Sequence, residues 1–366
     1  MDGCLIRILL FLTPALAQAD LANNEWYSTT RALSMGNVGL ASAEDSATAM
    51  FYNPAALART KKVTAELFSP QIDVGTGVFT LGRGAADLSK HGSLSEVRPL
   101  VEARSNRASY LGGSLYPSIS AQNFNFGVLL RGEGLSFYDG KQLVYRSRHV
   151  LIPTLGISIG SLAGRFRLGL AARVIQITEN DRTLTGTIAS NGPTGYQPGY
   201  LLDAQEGLGI GLDAGALLSL PVAGIPTLGV VARNVGDTSF TGSAPVGFAT
   251  GSPTRKQKIK MTYDLGFSLS PKFGKKNSFT LGADYRDALN QNQVSTLRRI
   301  NLGLEFSFSR ILYLRAGVSR GYFTAGFGLA SKFGSLDLGT YAEELDAKGF
   351  RKKEDRRVSI KFGSRF

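Results

Sequence analysis

From about residue 62 onward, apolar residues alternate with small or charged ones, and this period of two constrains the fold more than any other feature of the chain. Phe124, Phe126, Val128 and Leu130 fall on one face of an extended segment, with Asn125, Gly127, Leu129 and Arg131 on the other. Phe166, Leu168, Leu170, Ala172 and Val174 oppose Arg167, Gly169, Ala171 and Arg173 in the same way. The pattern returns over 208–215, 279–286 and 300–308. Alternation sustained over about ten residues marks a strand with one apolar face, the form in which β-barrels cross membranes. After the N-terminus no apolar run is long enough for a spanning helix.

Fourteen such strands begin near residues 63, 108, 123, 142, 165, 206, 226, 258, 277, 298, 311, 321, 335 and 355. An even count suits a single-chain barrel. Alternate joints are short (120–122, 161–164, 221–225, 272–276, 309–310 and 334), and most of the others are long (83–107, 179–205, 237–257, 288–297 and 346–354). The expected fold is therefore all-β, a transmembrane antiparallel barrel with both termini in the periplasm. Val358, Ile360, Phe362, Ser364 and Phe366 alternate to the last residue, which is similar to the C-terminal signal read by outer-membrane assembly machinery. A soluble β-sandwich would share the alternation but not the leader, the strand number and the terminal Phe together.

The leader is legible. Residues 8–16 are apolar, and Ala17-Gln18-Ala19 has the small-x-small form of a signal-peptidase site. Cleavage after Ala19 would remove Cys4, the only cysteine. The organisation predicted is a signal peptide (1–19), a segment ahead of the strands (20–61) and a barrel (62–366). The destination is the bacterial outer membrane.

Composition removes several functions. One Cys and two His leave no disulfide scaffold and little for a metal or acid–base centre. His91 and His149 lack a nucleophile motif, so no enzyme, cofactor or metal is expected. The net charge of +13 gathers toward the outer loops, at Arg104, Arg107, Arg146, Arg148, Arg255, Lys256, Lys258, Arg298, Arg299 and Arg351–Lys353. Lipopolysaccharide phosphates are natural counterions there. Stacking aromatics are not interleaved with these cations, which argues against nucleic acid. Leu94, Val97, Leu100 and Val101 in loop 83–107 have helical spacing, suiting a lid or a gate.

The inner face carries an ordered series of charges. Arg173, Asp213, Arg233, Asp264, Asp284, Arg286, Glu305, Arg315 and Asp337 lie on the fifth to eleventh and the thirteenth strands, Asp284 and Arg286 on one, with largely alternating sign. They could form a salt-bridge ladder lining the wall. Alternatively Arg131, Arg173 or Arg233 could meet an anionic headgroup in transit. Inward glycines mark places where backbone, plug or ligand can come close.

Residues 31–58 do not alternate. Gly36, Gly39, Ala41, Ala43, Asp45 and Asn53-Pro54-Ala55 follow one another just before the first strand. In order and spacing this segment resembles the N-terminal hatch of FadL-type outer-membrane transporters of fatty acids and other hydrophobic molecules. The resemblance implies a lumenal hatch in which Gly36, Gly39, Asp45, Asn53, Pro54 and Ala55 matter. Pro54 fixes φ and Asn53 can bond its own backbone, giving a rigid kink. Arg233–Thr238, Asp284–Asp287, Arg315–Gly317, Tyr341–Leu345 and Asp355–Arg357 resemble the PorV-type and TraF-like branch of the same superfamily. The first likeness implies passive passage of a small hydrophobic or amphipathic, fatty-acid-like compound. The second implies a closed barrel that serves as a scaffold or binds a protein partner.

Overall fold

The computed structural model describes residues 25–43, 46–79, 108–138, 142–161, 164–185, 204–242, 258–274, 276–346 and 349–364. The signal peptide, Asp45, the helical pattern in loop 83–107 and Phe366 lie outside them. Fourteen antiparallel strands close into a barrel. The first, β1, runs as Thr64–Glu66 and Gln71–Gly75, and β2 as Ala108–Leu115 and Ser118–Ala121. They are followed by β3 (Phe124–Tyr138), β4 (Gln142–Ser161), β5 (Phe166–Thr185), β6 (Gln205–Ser219) and β7 (Thr227–Arg233). Next come β8 (Thr262–Leu269), β9 (Asn277–Tyr285), β10 (Ile300–Phe308) and β11 (Leu312–Ser319). The last are β12 (Tyr322–Ala330), β13 (Gly334–Glu344) and β14 (Glu354–Ser364), which pairs with β1, Ile360 opposite Ile72.

The strand starts agree with the alternation within a few residues. Two differ for a local reason. Ile259 makes only a bridge to Thr238, so β8 begins at Thr262. Thr296–Arg299 form a 3-10 turn, so β10 begins at Ile300. Tight joints alternate with long ones except at β3–β4 and β11–β12, whose joints are also short. Ser309 and Arg310, both at positive φ, turn β10 into β11, a backbone twist that matches the flanking strands.

Outward residues are apolar and uncovered. Ile210 on β6 is 66% exposed while Asp213, three residues on, is 2% exposed. In water such a belt would be an aggregation surface; in hydrocarbon it is the solvated one. No described helix is long and apolar enough to cross a membrane. Strands β4 and β5 have 20 residues each. A tilted span needs only about ten, so this hairpin rises above the rim.

Residues 25–43 and 46–59 lie inside the barrel. They contain α1 (Thr30–Ser34), α2 (Ser46–Tyr52) and a 3-10 turn (Pro54–Arg59). A girdle of glycines receives this segment, one on each strand from β4 to β13: Gly156, Gly169, Gly215, Gly229, Gly266, Gly282, Gly303, Gly317, Gly326 and Gly339. A Cβ on any of them would come closer to another atom than real Cβ atoms do, and the segment supplies such an atom at every one. Several are cross-strand partners, among them Gly169 with Gly215, Gly229 with Gly266, and Gly303 with Gly317. The glycine richness of the chain thus makes room for a second layer of backbone.

Candidate functional site

The charges expected on the inner face meet there. Arg173 pairs with Asp213, which lies 3.7 Å from Arg233. Arg233 pairs with Asp264 at 2.5 Å, and Arg286 reaches Asp264 at 3.3 Å and Asp284 at 3.4 Å. Arg315 joins Glu305 and Asp337, both at 2.6 Å. Every one of these side chains is buried except that of Asp337, which keeps 14% exposure. A buried ion pair is costly unless most of its remaining donors and acceptors are also satisfied.

The N-terminal segment supplies much of that satisfaction. Asp284 accepts the backbone N–H of Gly39 (2.8 Å) and Leu40 (3.1 Å). Arg233 donates to the carbonyls of Phe51 (2.8 Å) and Tyr52 (3.2 Å), and Arg286 to that of Asn37 (3.0 Å). Arg31 grips Glu305 with two hydrogen bonds, at 2.7 and 2.9 Å. Gly36 donates to the Thr324 hydroxyl (2.9 Å). The Asn53 amide donates to Leu40 (2.9 Å) and Ala216 (3.2 Å), while its oxygen caps the N–H of Ala55. Burial holds the Tyr52 phenol above its ordinary range, so it stays protonated and donates to Asn37. The ladder is therefore a socket for the segment as well as a brace for the wall.

The socket is one-sided. Leu129, Val150, Ile152, Ile175, Ile177 and Leu217 project inward from β3 to β6 and are buried. Trp26, Tyr27 and Phe51 of the segment cover them together with Tyr116 of the wall; Phe51 packs edge-on against Tyr27 and Tyr116 at 5.3 and 5.1 Å. Sequence reasoning missed this apolar strip. Its signal is the lapse of alternation in Val128-Leu129-Leu130, Val150-Leu151-Ile152 and Val174-Ile175, where both faces become apolar.

Above the segment opens a cavity of about 340 Å3, walled by the raised parts of β3, β4 and β5 and by β13 and β14. Of the three candidate ligand arginines, only Arg131 lines it. Its side chain is 21% exposed, held by Glu133 at 2.7 Å and by the Trp26 carbonyl at 3.2 Å. Arg146 and Arg148, expected among the outer cations, also face this cavity. Arg298 and Arg299, expected to meet lipid phosphates, are buried instead. Arg298 donates to the carbonyls of Asp346 and Gly349, and Arg299 to that of Asp287. No described group of three His, Cys, Asp or Glu could hold a metal.

No protein-family model matches the chain, and no curated protein matches it. Solved barrels do. The monoaromatic hydrocarbon channel CymD superposes with a TM-score of 0.54 at 12% identity, over 94% of this chain and 98% of its own. The toluene transporter TbuX of Ralstonia pickettii gives 0.53 at 14%, over 94% and 99%. The toluene transporter TodX of Pseudomonas putida gives 0.50 at 12%, over 91% and 96%. The chain has a FadL-like barrel fold. In this FadL-like barrel the described residues fill the lumen at the level of the glycine girdle and leave a cavity above it.

Proposed function

We propose that the protein is a non-enzymatic outer-membrane channel that passes a small hydrophobic or amphipathic compound down its gradient, with residues 20–61 as a hatch. The observation that carries this reading is the apolar strip on β3–β6, covered inside the lumen by aromatic side chains of the segment. A strip of that kind is costly against water, at roughly 25 cal/mol per Å2 exposed, and suits a solute of similar chemistry. CymD, TbuX and TodX, described as hydrocarbon channels or toluene transporters, share the fold and support the reading. The solute enters the cavity, the hatch yields around Asn53, Pro54 and Ala55, and exit follows through the lumen or a gap in the wall. Membrane lipid covers the apolar belt, lipopolysaccharide meets the loop cations, and Phe366 serves assembly.

The density of bonds between segment and ladder favours a second reading, a permanently closed barrel that acts as a scaffold or protein partner. Influx of N-phenylnaphthylamine into cells with an intact lipopolysaccharide leaflet separates the two. A channel raises influx over cells lacking the protein, and Asn53→Ala raises it further. No influx, with a stoichiometric protein co-purifying, establishes the scaffold.

A further inference from the structure

Two tiers of charge occupy the lumen: the lower one is bonded to the segment along its length, and the upper one touches it through Arg131 and the Trp26 carbonyl. The upper tier runs across three neighbouring strands: Glu133 of β3 stands opposite Arg148 of β4, which stands opposite Glu179 of β5. Arg131 completes the row beside Glu133. These four side chains keep 18–21% exposure, and the pairs of Arg148 are stretched to 3.6 Å with Glu133 and 3.9 Å with Glu179. In the lower tier the Arg233–Asp264 pair closes to 2.5 Å at 3–4% exposure.

The cavity above this row has no dominant sign, because five arginines and six carboxylates line it. A bare hydrocarbon lodged there would strip water from charged groups and return nothing. A simple anion reaching Arg148 would meet a carboxylate on either side, and a simple cation reaching Glu133 would meet a guanidinium on either side. A ligand carrying both charges satisfies both, since its carboxylate or phosphate can bond guanidinium while its ammonium bonds Glu. The volume is of the size that small-molecule sites have.

We infer that the upper cavity is a binding site for the head of a zwitterion that carries an apolar tail. This rests on the channel reading and names its solute class. The shared chemistry belongs to apolar amino acids and to zwitterionic lipid headgroups alike.

The only tryptophan of the chain is Trp26, whose carbonyl Arg131 holds, so its emission reports on the site. The mature protein in a maltoside detergent is titrated with four ring-matched probes: phenylalanine, 3-phenylpropanoate, phenethylamine and ethylbenzene. Dihexanoylphosphatidylcholine below its micellar range is the lipid arm. Phenylalanine or the short phosphatidylcholine should shift the emission saturably, at a concentration about tenfold or more below either singly charged probe. Whichever of the two binds tighter identifies the source. Glu179→Gln should narrow the gap between phenylalanine and 3-phenylpropanoate while the barrel keeps its heat-modifiable migration. Equal or tighter binding of 3-phenylpropanoate, phenethylamine or ethylbenzene overturns the zwitterion but leaves the channel standing. If no probe binds and N-phenylnaphthylamine influx is also absent, both readings fail.

Discussion

The side-chain oxygen of Asn53 lies against Gly215 on the inner wall, where a Cβ at position 215 would overlap it. Gly169, the cross-strand partner of Gly215, receives the backbone of Pro54 and Ala55 in the same manner. The kink at Asn53-Pro54-Ala55 is thus seated in a slot two glycines wide.

Filling that slot should unseat the hatch without opening the barrel. Gly215→Val adds volume to a tight contact, an overpacking cost of about 1–3 kcal/mol. Trypsin should then cleave after Arg59, whose side chain ties back to the carbonyls of Ala41 and Ala43, about tenfold faster. Unchanged cleavage would mean that the slot does not hold the segment.

The ladder should divide into costly and cheap pairs. Arg233→Met leaves Asp264 short of a partner and two segment carbonyls without their donor. Breaking such a buried pair costs about 3–5 kcal/mol. Arg356 and Glu354 pair at 2.5 Å with 30% and 41% exposure, and Arg356→Met should cost less than about 1 kcal/mol. Thermal unfolding of the two variants side by side checks the ranking, and equal losses would contradict it.

The fold and much of the wall chemistry were legible because period two reports a face without any knowledge of register. Arg173, Asp213, Arg233, Asp264, Asp284, Arg286, Glu305, Arg315 and Asp337 could be assigned to the lumen in this way. Register and depth could not be read. Whether Asp284 meets Arg286 or the N–H of Gly39, 245 residues away, depends on long-range packing. The apolar strip was hidden because two apolar faces in one strand look like a lapse in pattern. The cavity was hidden because it depends on how far β4 and β5 rise above their neighbours.

Trimming the aromatic cover should loosen closure on one side only. Phe51→Ala removes the ring between Tyr27 and Tyr116, a loss of about 3–5 kcal/mol to local packing. Influx of N-phenylnaphthylamine should rise severalfold. Phe308→Ala, on the lipid-facing side and 40% exposed, should leave influx near the parent value. A matching rise in both variants would indicate general damage to the barrel rather than release of the hatch.

The central claim is that the segment must move for the solute to pass, and a reversible tether tests it most directly. The Cβ of Val38 lies 3.5 Å from the position of a Cβ on Gly282 of β9, within the range of a disulfide. A chain carrying Cys4→Ser, Val38→Cys and Gly282→Cys can be locked by oxidation and released by reductant in the same cells. N-phenylnaphthylamine influx should fall to the level of cells lacking the protein when the tether closes and recover when it is reduced. Equal influx in the oxidised and reduced states, with the disulfide verified as formed, would contradict it.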